Sequence, residues 1–190
     1  MRKTALILAV VLAAGPAFAH TGGLHTSGLI AGMAHPVSGA DHLLAMLAVG
    51  LWSGFALPRH FWLGAAAFMA AMAIGAGFGF AGVGLPFVEA GITASVVLFG
   101  ILTLVARPDQ SAGITAASLA TIALFASFHG HAHASEATGA ALTYMAGFLA
   151  ATGALHLVGI ALARGVARNT LAQRAMGGAI IASGVVLALA

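Results

Sequence analysis

Two stretches of this chain carry side chains that can do chemistry, and both are rich in imidazole. The first, HPVSGADHLLAMLAVGLW from His35 to Trp52, sets two histidines, a proline and an aspartate at the mouth of an apolar run. If the segment is one helix, His35 and His42 lie seven residues apart on one face, with Asp41 about 100° round from His42. A proline here breaks or kinks the helix, and a kink at Pro36 would swing the three polar residues toward one point. The second stretch is FHGHAHASE, from Phe128 to Glu136. On a helix His129, His133 and Glu136 share a face and His131 points away; if Gly130 ends the helix, the histidines converge from a loop instead. Imidazole nitrogens with carboxylates suit a divalent, borderline transition metal, and ionisable groups inside a membrane segment are candidates for function. The plainer readings are a capping Asp41 with interfacial histidines, and a metal-buffering or pH-sensing tract at 128–136.

Such residues need a scaffold, and composition says which kind. The chain has 190 residues, 61% of them hydrophobic and only 6% charged, a balance no soluble domain shows. The expected fold class is all-α: a polytopic membrane protein with six transmembrane helices after a cleaved signal peptide. Twenty-six glycines among abundant alanines favour helices that pack through small residues, and they permit a homo-oligomer without requiring one. With no cysteine, disulfides, thiolate metal sites and cysteine nucleophiles are excluded, so a bound metal must be held by nitrogen and oxygen. Seven basic residues against four acidic ones do not make a nucleic-acid-binding surface; so small an excess in an apolar chain is a topology signal.

Residues 1–19 read as a secretory signal, with Arg2 and Lys3, an apolar run, Gly15-Pro16 and an A-x-A end at Ala17-Phe18-Ala19. Cleavage there makes His20 the mature N-terminus, with His25 five positions on; the pair either captures a metal from outside or is a solvated tail. Residues 20–190 then form a single six-helix domain. The expected spans are about 37–57, 61–80, 87–106, 112–128, 138–163 and 175–190, the last of which should begin inside the basic loop before it. Arg59 falls in the first loop, Arg107 in the third, and Arg164, Arg168 and Arg174 in the fifth. All therefore lie on one side, which the positive-inside rule makes the cytoplasm, so both termini of the mature chain are periplasmic. The same count puts both histidine stretches on the opposite, outer side, which favours a joint site. His156, inside the fifth span, reads as an interhelical hydrogen-bond partner. Glu89 reads as an interfacial cap, and the methionines as packing.

The two motifs, in this order and with this spacing, resemble the HupE/UreJ family of membrane proteins, nickel permeases associated with hydrogenase and urease maturation. The resemblance covers essentially the whole mature chain. It implies uptake of Ni²⁺, with His35, Asp41 and His42 of the first motif and His129, His133 and Glu136 of the second as ligands or gate residues. The second motif often carries glycine where this chain has Ala134, a change that stiffens the stretch and leaves the ligand types intact. Co²⁺ stays open as a cargo, because the same ligands accept it. The expectation is a transporter of the bacterial inner membrane, with Ni²⁺ as cargo and no prosthetic group. With no Walker motif there is no nucleotide partner and no ATP hydrolysis by this chain. The competing classes are a membrane-bound metal sensor or accessory protein, and an intramembrane metalloenzyme; for the latter the HExxH order is absent.

Overall fold

Apolar sequence without backbone partners in lipid has to form helices, and helices are what the chain forms. The structure, a computed structural model, describes residues 28–108, 110–137 and 140–190. The expected signal peptide, with His20 and His25, lies outside the described residues. Seven helices follow one another: α1 (Gly28–Ser38), α2 (Ala40–Ala56), α3 (Leu63–Phe80), α4 (Val88–Val105), α5 (Ala112–Glu136), α6 (Ala141–Gly165) and α7 (Thr170–Leu189). There is no strand among the described residues. The five helices from α3 to α7 are each long and apolar enough to cross a membrane. Helices α1 and α2 together make a sixth candidate, bent by 81° at their junction.

Three details differ from the sequence reading. The break in the first span lies at Gly39, which is extended (φ −99°, ψ 123°), while Pro36 sits within the last turn of α1. His35 and His42 are thus on two helices and not on one face of one helix. The Ser38 hydroxyl donates to the His35 carbonyl at 2.7 Å, closing the end of α1 where the helix stops. Next, α5 does not end near Phe128 but continues as helix to Glu136, so the whole second motif is helical. Finally, residues 28–38 form a helix that hydropathy alone did not place. The last helix begins at Thr170, inside the basic loop as expected, and Asn169 caps it by accepting from the Ala172 N–H at 2.9 Å.

Helix α2 is the axis of the bundle. From Leu44 to Ala56 it is buried almost without interruption, with α6, α4 and α3 packed around it. Small residues let the backbones meet: a Cβ on Gly130 of α5 would collide with the Met72 carbonyl of α3. The outward faces carry Ile74, Phe78, Val105, Leu124, Leu157 and Val186, all exposed, the surface a lipid bilayer would cover. The arginine-bearing loops gather at one end: Arg164 donates to the Pro58 carbonyl at 3.4 Å and stands 4.4 Å over the Phe61 ring, and Gln173 bonds the Ala106 carbonyl at 2.9 Å. The histidine motifs lie at the other end.

Candidate metal site

The junction of α1 and α2 brings the first motif to the axis of the bundle. Gly39 allows the turn, because a Cβ there would stand only 2.9 Å from Asp41 Oδ1 and 3.2 Å from His42 Nδ1. Asp41, in the first turn of α2, accepts the His42 backbone N–H at 2.7 Å, a favourable place for a negative charge. The same oxygen lies 2.6 Å from His42 Nδ1. A carboxylate only accepts, so Nδ1 carries the proton and His42 Nε2 presents its lone pair. That nitrogen is buried and has no hydrogen-bonding partner.

Helix α5 supplies the facing side. His129 and His133, one turn apart, are both fully buried. His129 Nε2 lies 2.9 Å from the Ser95 hydroxyl of α4, and that hydroxyl spends its single proton on the Ile92 carbonyl at 2.6 Å. Ser95 must therefore accept from Nε2–H, which leaves His129 Nδ1 as a second lone pair. It too is buried without a partner. Two hydrogen bonds thus set the tautomers so that one nitrogen of each ring is left bare in the interior.

The rings converge. His42 stands 4.8 Å from His129 and 4.5 Å from His133 by ring centroids. One ring nitrogen from each of the three histidines lies within 4.8 Å of the others. An ion ~2.1 Å from each donor needs nitrogens roughly 3–4 Å apart, so side-chain movements of about 1 Å would close the set around it. His35, half-buried, caps the trio from α1 with its ring 4.7 Å from His133 and 6.0 Å from His42. Phe148 packs on His133 at 3.8 Å and Phe68 on His129 at 5.5 Å, walls that limit water and fix the rings.

The remaining expected residues are placed as follows. Asp41 orients His42 through Nδ1. His131 turns away from the trio and donates to the Val83 carbonyl in the α3–α4 loop at 2.7 Å. Glu136 is the last residue of α5, and its side chain lies outside the described set. Glu89 is exposed in the first turn of α4. Ser95 escaped the sequence reading, since a lone serine in an apolar helix carries no signal that it will meet an imidazole 34 residues away.

The Asp41–His42 hydrogen bond carries an expected result. Asp41→Asn keeps size and removes the charge that anchors Nδ1–H, and it should lower nickel affinity by about 10–100-fold with the helices intact. Equilibrium dialysis of purified protein against nickel measures it. Unchanged affinity would remove Asp41 from the site.

The sequence model of the family described as HupE / UreJ protein matches residues 8–187. Protein HupE of Rhizobium leguminosarum bv. viciae is 39% identical over 199 aligned positions, covering 98% of this chain and 98% of that protein. No solved structure matches the chain.

Proposed function

The chain belongs to the HupE/UreJ family, which is associated with nickel and cobalt permease function, and from that premise we propose that it carries Ni²⁺ inward across a bacterial inner membrane, with Co²⁺ as a second cargo. The observation that carries the reading is the buried trio of His42, His129 and His133, with His42 Nε2 and His129 Nδ1 bare in the interior. Bare nitrogens in a dry interior are costly unless something comes to use them. A late first-row dication is the ligand whose preference matches neutral imidazole.

On this reading the histidine end faces the periplasm and the arginine end the cytoplasm, as the positive-inside rule requires. His35 meets the ion at the mouth, and the trio then replaces part of its hydration shell. Asp41 offsets charge through His42, and Glu136 and the pair His20 and His25 are further donors on the same side. With 100 mV negative inside, a dication gains about 4.6 kcal/mol on crossing, so the potential alone sustains accumulation. A set of neutral nitrogens with one nearby carboxylate holds the ion less tightly than a charged cage, and so lets it leave.

Purified protein in liposomes tests this. With an imposed inside-negative potential, labelled nickel should enter with time and without ATP. Uptake should fall as the outer pH is lowered, because protonated imidazole cannot coordinate and the cation it becomes repels the cargo. Nickel binding without time-dependent uptake would assign the chain to the accessory or sensing class instead.

A further inference from the structure

Buried polar atoms without partners occur at two levels of the bundle. The first level is at the trio, where His42 Nε2 and His129 Nδ1 are bare. The second comprises Thr152 Oγ1 and His156 on α6 and Ser53 Oγ on α2, all three residues being completely buried. His156 does not make the interhelical hydrogen bond expected of it. The Thr152 backbone one turn earlier lies within its reach, yet neither ring nitrogen has a partner of ordinary geometry. One orphan group in an apolar core is a packing accident, but three on two helices packed against each other require an account.

The helices connect the two levels. Tyr144, Phe148, Thr152 and His156 recur every four residues and form a stripe that winds by roughly 120° round α6. The upper half of that stripe meets the entrance site through Tyr144 against His35 at 6.0 Å and Phe148 against His133 at 3.8 Å. His156 follows Phe148 by eight residues, which places it ~12 Å further along the helix. Phe68 of α3 touches both levels, 5.5 Å from His129 and 5.1 Å from His156. Gly64, one turn before Phe68 on the same face, abuts the Ser53 hydroxyl. The His156 backbone lies against Gly50, one turn before Ser53 on α2. His156 and Ser53 therefore flank the same strip of α3, beyond the Phe68 ring as seen from the trio.

We propose that His156, with the Thr152 and Ser53 hydroxyls, is a second station for a partly dehydrated transition-metal dication, separated from the entrance trio by the Phe68 ring. The inference rests on the transport reading above. Its donors are one imidazole and two hydroxyls with no carboxylate, so the station holds the ion more weakly than the entrance. Passage is then a step from a tighter site to a looser one toward the arginine end, gated by rotation of a single aromatic side chain.

The test uses full-length protein in liposomes, with labelled nickel for both equilibrium binding and uptake. His156→Leu replaces the ring by an apolar side chain of similar bulk. It should keep entrance-site binding and lose uptake by about tenfold or more, the scale of one lost contact to a charged group. Thr152→Val removes only the orphan hydroxyl and should slow uptake by roughly threefold at unchanged binding; it decides the matter if His156→Leu does not insert. Parental uptake in Thr152→Val and in any inserted His156→Leu protein overturns the second station. So does loss of binding together with uptake in His156→Leu, which would make the residue a structural support of the entrance. A parental protein that binds nickel and takes up none overturns the transport reading itself, a result distinct from both.

Discussion

His42→Ala should abolish nickel uptake, by about 100-fold or more, in a protein that still inserts and remains folded. The ring is the one member of the trio held by α2, and its Nε2 is bare because Nδ1 carries the proton that it donates to Asp41. Its loss breaks the set at the point where the two motifs join and leaves His129 and His133 as a pair on one helix. A two-nitrogen site competes poorly with water for a dication, and each further 1.4 kcal/mol of lost coordination is about another factor of ten. The fold should tolerate the change, because α2 is anchored below this turn by buried residues from Leu44 to Ala56. Uptake into liposomes, with the inserted amount measured by protease protection, reads both halves of the expectation. Normal uptake by inserted His42→Ala protein would refute the site assignment.

Gly130→Val should be as damaging by another route. A Cβ at this position would run into the carbonyl oxygen of Met72 and crowd the Ala76 nitrogen at 2.9 Å. Both are backbone atoms of α3 and cannot rotate aside. The helices must separate, and α5 carries the flanking His129 and His133 away from His42 as it moves. The cost should be roughly 3 kcal/mol or more in stability, since overpacking against rigid backbone is at the severe end for a single substitution. Nickel binding should fall at least about tenfold with it. Gly77→Ala is the control: a Cβ there meets nothing within 4 Å, and a helical glycine replaced by alanine should be neutral or gain about 0.5–1 kcal/mol. Thermal unfolding in detergent compares the two. If Gly130→Val and Gly77→Ala unfold at the same temperature, the close contact of α3 and α5 is not what holds the site together.

Chemistry was readable in the chain to different depths. The pairing of His129 with His133 follows from a spacing of four on a helix, and the outward turn of His131 from a spacing of two. The need for the His35–His42 segment to bend followed from its proline, although the break itself falls at Gly39, where a residue without a side chain can stand against the Asp41–His42 pair. By contrast, nothing local to Ser95 foretells that it accepts from His129. Nothing local to Phe68 foretells that its ring meets both His129 and His156.

Membrane class, helical content, the exclusion of thiolate chemistry and the gathering of both histidine motifs at one end came from sequence alone. Each is a property of residue type, of hydropathy summed over a span, or of the parity of helix crossings, and none depends on which faces meet. Tertiary structure alone decided that His42 faces His129 and His133, which nitrogens are bare, and that His156 lies buried against the same aromatic ring. Those outcomes depend on how small residues let particular helix faces approach across long stretches of intervening chain, 34 residues from Ser95 to His129, contacts that no local periodicity encodes.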